Sequence, residues 1–180
     1  MKKFKLCFLI VATLLPFTLH AQGKIRTYTR LGSHDVIVLL PDGKRFIADS
    51  GGDLDLWDIE SGKKIHTFTR MGSHDVIVLL PDEKRFIADS GGDLDLWDIE
   101  SGEKIRTYTR MGSHNILLVL PDGKRFIADS GGELDLWDIE SGEKIRTYAR
   151  MGSHNVLLLL PDGKRFIAAS GGDLDLWWID

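Results

Sequence analysis

The sequence predicts an all-β protein built from four near-identical, four-stranded antiparallel units, and three observations carry that prediction. Trp57, Trp97, Trp137 and Trp177 stand forty residues apart, and so do His34, His74, His114 and His154. Apolar or alternating runs of five to seven residues are separated by Gly and Pro turns, the signature of short strands. No stretch of the repeating region carries apolar residues at helical spacing. A fixed step near forty residues points to an array whose unit buries its apolar face only against a neighbour. The units span about 24–63, 64–103, 104–143 and 144–180.

Four strands can be read in each unit. Lys24 to Arg30 alternates and is rich in β-branched and aromatic residues until Gly32-Ser33 breaks it. Val36 to Leu40 is a continuous apolar run, closed by Pro41-Asp42-Gly43, where proline sets φ and glycine accepts positive φ. The run is too short and too β-branched for a helix and suits a strand covered on both faces. Arg45 to Asp49 forms the third strand, Gly51-Gly52 a tight reversal, and Leu54 to Ile59 the fourth. Glu60-Ser61-Gly62-Lys63 then turns the chain into the next unit.

The opening stretch differs from everything after it. Lys2, Lys3 and Lys5 precede an apolar run from Leu6 to Leu19, followed by His20-Ala21-Gln22, which is the order of a secretory signal peptide over 1–21, with cleavage after Ala21. A retained membrane anchor is the alternative, but the run falls short of the ~20 residues of a spanning helix and Pro16 interrupts it. The expected destination is the periplasm or the exterior, with no stable membrane insertion after cleavage. Cys7, the only cysteine, lies within this segment and near the start of its apolar run, so it does not read as a lipoprotein acceptor. The repeats at 22–180 therefore carry no thiol, disulfide or thiolate metal site.

The full chain has 43% hydrophobic and 28% charged residues and a formal charge of −4. Loss of the signal removes three lysines and no acid, leaving 20 basic against 27 acidic side chains. Nucleic acid is thereby excluded as an expected partner. The interleaving of both signs in every repeat describes a mixed surface and not an acidic tail.

Leu56-Trp57-Asp58-Ile59-Glu60-Ser61-Gly62-Lys63-Lys64-Ile65, with its copies from Leu96 and Leu136, resembles the Trp-Asp end of a WD repeat and the strand that follows it. Pro41-Asp42-Gly43-Lys44-Arg45-Phe46 is similar to that family's turn between two blade strands. The likeness runs over the whole of 22–180 and implies a β-propeller-like array of four blades. In that family a histidine, a strand serine or threonine, the tryptophan and a turn aspartate share a hydrogen-bonded network. The resemblance assigns such structural roles to His34, Ser50 and Trp57, with Asp53, and to the copies His74, Ser90, Trp97; His114, Ser130, Trp137; and His154, Ser170, Trp177. The chain departs from the pattern in placing Gly32-Ser33-His34 where Gly-His is usual, in a tighter Gly51-Gly52 hairpin, and in Trp177-Trp178 in place of Trp-Asp.

Strand phase adds an expectation. The repeats open on the alternating strand and stop after the Trp-containing one, so residues 24–30 are expected to lie beside 173–179 and complete the last blade, removing two unpaired edges. Closure within one chain gives a four-bladed ring, closure across two gives an eight-bladed homodimer, and a fragment of a longer propeller is the third arrangement.

Candidate chemistry is sparse. Ser33-His34-Asp35 holds the residue types of a hydrolytic triad, but neighbours in sequence do not by that fact converge, and Asn115 and Asn155 stand at the Asp35 position. Asp49-Ser50-Gly51-Gly52-Asp53-Leu54-Asp55 invites calcium, yet lacks the order of a calcium loop and reads better as a solvated hairpin. The in-phase histidines and His66 have no partners at metal-ligand spacing, and the repeated tryptophans read as packing between blades. No catalytic residue, metal or cofactor is assigned. The expected function is an exported, non-catalytic binding or scaffold protein with a protein partner; a propeller hydrolase and a self-assembling structural unit are the alternatives.

Overall fold

The computed structural model describes residues 26–29, 36–69, 76–109, 117–149, 157–170 and 172–180. It is all-β in these residues. The first sheet contains β1 (Ile37–Leu39), β2 (Arg45–Ser50), β3 (Asp53–Asp58) and β4 (Lys64–Phe68), antiparallel and in that order. The second repeats it with β5 (Ile77–Leu79), β6 (Arg85–Ser90), β7 (Asp93–Asp98) and β8 (Lys104–Tyr108). The third holds β9 (Leu117–Val119), β10 (Arg125–Ser130), β11 (Glu133–Asp138) and β12 (Lys144–Tyr148). The fourth has three strands, β13 (Leu157–Leu159), β14 (Arg165–Ser170) and β15 (Asp173–Trp178).

Pairing in the first sheet sets Phe46 opposite Trp57, Ile47 opposite Leu56, and Ala48 opposite Asp55. Strand alternation then sends Phe46, Ala48, Asp55 and Trp57 to one face, and Ile47, Leu54 and Leu56 to the other. The core lies between successive sheets, so both faces of the second and third sheets and one face of each end sheet are covered by a neighbouring sheet. Leu40, Ile47, Leu54, Leu56 and Phe68 of the first sheet pack against Phe86, Ala88, Trp97 and Ile99 of the second. The same junction recurs between the second and third sheets and between the third and fourth. A single sheet could not bury these side chains alone, so each unit depends on its neighbour.

The last residue of each outer strand is the plug of the junction. Phe68 meets Phe86 edge to face at 4.9 Å and Trp97 at 5.6 Å, and Tyr108 and Tyr148 repeat the arrangement against Phe126 and Phe166. The tyrosines add a bond that Phe68 lacks: Tyr108 Oη donates to Ile139 O and Tyr148 Oη to Ile179 O, each at 2.8 Å. Burial pushes the Tyr108 phenol well above its usual pKa.

The expected pairing of the N-terminal segment with the last sheet is not made within the chain. Residues 26–29 lie instead against the first sheet, where Tyr28 packs edge to face on Phe46 at 4.9 Å and donates from Oη to Ile59 O at 2.8 Å. β15 is the outer strand of its sheet among the described residues, with Leu174 and Leu176 left 71% and 57% exposed where Leu54 and Leu56 are fully buried. The physical reason is that the four described sheets do not bring β15 alongside this segment, which sits on the first sheet at the opposite end of the stack.

One turn carries visible strain. In the first, third and fourth sheets the residue after Pro-Asp is glycine at φ between 65° and 66°, whereas the second has Glu83 at φ 61°. A side chain in this left-handed region costs on the order of 1 kcal/mol. Glu83→Gly is therefore expected to raise stability by about 0.5–1 kcal/mol, even after the added freedom of the unfolded chain. A shift of about 1–4 °C upward in the melting temperature checks it; an unchanged or lower value contradicts it.

Candidate binding rim

Two turns of each unit fall on the same rim of the stack, Pro41 to Lys44 between β1 and β2, and Asp58 to Lys63 between β3 and β4. Each is closed locally. Gly43 N donates to Leu40 O at 3.0 Å, Gly62 N donates to Asp58 O at 3.0 Å, and Ile59 N donates to Lys44 O at 2.8 Å, which ties the two turns together. Gly62 and its copies also allow close approach: a Cβ on Gly142 would come within 2.7 Å of the Arg106 guanidinium, whose Nη2 donates to Glu140 O at 2.8 Å. His66 stands at this arginine position and makes the equivalent bond, its Nε2 donating to Glu100 O at 2.7 Å.

Carboxylates organise the rim. Asp42 Oδ1 accepts from Lys44 N at 2.7 Å and from Arg45 N at 3.1 Å, while its Oδ2 accepts from Arg45 Nε at 2.7 Å. The Lys44 amide, with the Arg45 contacts, holds the Asp42 carboxyl below the usual aspartate range. Asp58 is lowered in the same sense by the Ser61 hydroxyl and then by the Ser61 amide. Arg45 reaches across the junction to Glu100 at 2.8 Å, and Arg85 does so to Glu140 at 2.7 Å and Arg125 to Asp180 at 2.7 Å. Between the second and third sheets the rim opens into a polar groove lined by Asp82, Arg85, Asp122, Lys124, Asp138 and Glu140. The sequence places the same residue types at the junction of the first and second sheets, while at that of the third and fourth Trp178 stands in the Asp138 position and Asp180 in that of Glu140. Lys44, Lys84, Lys124 and Lys164 stand exposed along it.

The opposite rim carries the Gly51-Gly52 reversals. His34, His74, His114 and His154, with Ser33 and Asp35, lie outside the described residues. Trp97 and Trp137 are buried within sheet-to-sheet junctions, Trp57 is buried beside Tyr28 at 5.7 Å, and Trp177 packs beside Tyr148 at 5.7 Å. Ser50, Ser90 and Ser130 sit half-buried at strand ends, and Ser170 holds the same strand position. Ser50 pairs with Asp53, four pairs along the hairpin from the Phe46–Trp57 pair. At ~3.3 Å per residue this separates serine from tryptophan by about 13 Å, so the tryptophan–serine link of the expected network is not formed. The indole N–H groups of all four tryptophans have no hydrogen-bond partner among the described residues. The tight Gly51-Gly52 hairpin is the cause, since it keeps Ser50 at the far end of the strand pair.

A different polar cluster is built into every complete sheet, and the sequence reading passed over it. Asp55, expected in a solvated hairpin, is only 1% exposed. Its Oδ1 accepts from Thr67 Oγ1 at 2.7 Å and its Oδ2 from Lys64 Nζ at 3.2 Å, with the ammonium 5.9 Å from the Trp57 ring centre. Asp95 with Thr107 and Lys104, and Asp135 with Thr147 and Lys144, repeat it. Its role is to join the outer strand to its sheet. Among the described residues no three His, Cys, Asp or Glu side chains are grouped to hold a metal ion. No described helix is long and apolar enough to cross a membrane.

No family model and no curated protein matches this sequence. Among solved structures the chain is similar to a chain of hydrazine synthase from Kuenenia stuttgartiensis, with a TM-score of 0.70 and 21% identity over 88% of this chain. The match spans 49% of that chain, about half its length. At this identity the likeness concerns the fold of stacked sheets alone.

Proposed function

We propose that this chain is an exported, non-catalytic binding or scaffold protein whose stacked sheets belong to a propeller-like ring and whose charged rim holds a protein partner. The supporting observation is the repetition of one polar surface: each described sheet presents the same Asp–Arg–Lys turn, and consecutive sheets are bridged there by an Arg–carboxylate pair. A row of equivalent, moderately charged positions suits recognition of an extended partner at several points, where individually weak contacts sum through high effective concentration. An enzyme site, by contrast, concentrates distinct groups at one place. The WD-repeat resemblance supports the ring and the secretion signal supports export.

The rim lysines provide the test, because their side chains are exposed and replacing them leaves the Asp42–Arg45 type of pair in place. The fourfold variant Lys44→Glu, Lys84→Glu, Lys124→Glu and Lys164→Glu is expected to fold and to lose at least tenfold in affinity, about 1.4 kcal/mol, for the partner that wild-type chain captures from the native exported fraction. Equal capture by the variant, or no reproducible partner of the wild type, contradicts the reading.

A further inference from the structure

The two ends of the stack are the two halves of the same junction that joins the sheets inside it. At the leading end, the first sheet presents the face that a preceding sheet would cover: Ile37 and Leu39 are 63% and 59% exposed, and with Tyr28 and Phe46 they line an apolar depression. Their counterparts Ile77 and Leu79 pack into the core between the first and second sheets. At the trailing end the fourth sheet presents the opposite face, with Leu158, Leu174, Leu176 and Trp178 all exposed. Contiguous apolar surface of this kind marks an interface.

Charge and strand chemistry match as well. Arg45, Arg85 and Arg125 each pair with a carboxylate of the following sheet, fifty-five positions on. Among the described residues no sheet follows that of Arg165, whose guanidinium lies 5.4 Å from the Trp178 ring centre, beside the trailing face. By the forty-residue step, Glu60 on the first sheet is the carboxylate that corresponds to its missing partner. Similarly, Asp175 occupies the Asp55 position on a strand without an outer neighbour, while Thr27 occupies the Thr67 position on a segment without a sheet of its own.

Residues 26–29 already show half of the docked arrangement. Tyr28 Oη donates to Ile59 O, and Arg26 donates to Ser61 O at 2.9 Å and Glu60 O at 2.6 Å. These are the contacts that Tyr108 and Arg106, on β8, make with Ile139 and Glu140 of the next sheet. The segment thus sits on the first sheet as the outer strand of a preceding sheet would, with no strand paired to it among the described residues.

We infer that the preceding sheet is the fourth sheet of a second copy of this chain. Each copy's N-terminal strand pairs with the partner copy's β15, Thr27 bonds Asp175, Arg165 pairs with Glu60, and the exposed leucines cover Ile37 and Leu39. Because the two ends are different surfaces, association is head to tail, and two copies close by satisfying both ends reciprocally. The closed pair gives the fourth sheet the outer strand that the other three sheets have. This inference is independent of the rim's binding role and stands or falls without it.

Two measurements test it on the full chain. Light scattering is expected to give a mass of two chains that is constant over a tenfold range of concentration, and Leu174→Glu with Leu176→Lys is expected to reduce it to one. In a Cys7→Ser background, Thr27→Cys and Asp175→Cys are placed on separate chains, co-expressed and oxidised. The Asp55–Thr67 pair shows that these positions are neighbours when docked, so a two-chain disulfide product is expected, well above either single variant alone. A wild-type mass of one chain, a mass that grows with concentration, or no more two-chain disulfide product than either single variant gives alone overturns the inference. Intact capture of an outside partner by an unassociated monomer would leave the rim reading standing and this one refuted.

Discussion

Phe126→Ala is expected to lower the stability of the folded chain by about 3–5 kcal/mol, the cost of emptying a fully buried aromatic site. Phe126 is completely inaccessible and is enclosed by Tyr108 of the preceding sheet at 4.9 Å and by Trp137 of its own, stacked at 6.3 Å. Rigid strands on both sides limit how far the hole can collapse. Urea unfolding followed by tryptophan fluorescence reads this directly, and a thermal melt is expected to show a fall in melting temperature of about 6–20 °C for a chain of this size. The same change at Phe46 is expected to cost less, because Phe46 is covered only by the short segment that carries Tyr28 and is not fully buried. Equal losses at the two positions would show that inter-sheet burial is not what holds these rings.

Thr107→Val is the second large effect. The substitution keeps the shape but removes the hydroxyl that donates to Asp95 Oδ1 at 2.5 Å, leaving a carboxylate that is 1% exposed with the half-exposed Lys104 as its remaining partner in the cluster. Depriving a buried charged acceptor of one bond costs about 1–3 kcal/mol. Thr107→Ser restores the donor and is expected to recover most of that loss. Thermal melts of the three forms check the order wild type, Ser, Val. Serine no better than valine would mean that the methyl group, and not the hydroxyl, is what β8 requires.

The strands were legible because their boundaries are written in special residues. Pro41-Asp42-Gly43 and Gly51-Gly52 each reverse the chain where expected, and β1 to β4 follow the runs read between them, with β2 reaching one residue further, to Ser50, and β3 beginning one residue earlier, at Asp53. Asp55 was misread for a physical reason. Alternation in Leu54-Asp55-Leu56-Trp57 distinguishes two faces of a strand, but it marks an aspartate as solvent-facing only when its face meets water, and here Thr67 and Lys64 of the neighbouring strand hold the carboxylate inside. A threonine on the facing strand at the matching register was the available sign that the carboxylate is held inside. The closure of the ends was not legible either, since strand phase states which strand is missing and not which molecule supplies it. Trp178 shows the same limit: its place in the sequence marks it as different from the repeated aspartate, and only the fold puts it on the exposed trailing face.

The central claim is that each sheet is stabilised by the next, through the aromatic plug of its outer strand. A double-mutant cycle across one junction, Tyr108→Ala, Phe126→Ala and the pair, measures this most directly by equilibrium unfolding. The account predicts a coupling of about 0.5–3 kcal/mol, the double variant losing less than the two single losses combined. Additivity within about 0.3–0.5 kcal/mol would mean that the two rings act independently and would contradict it.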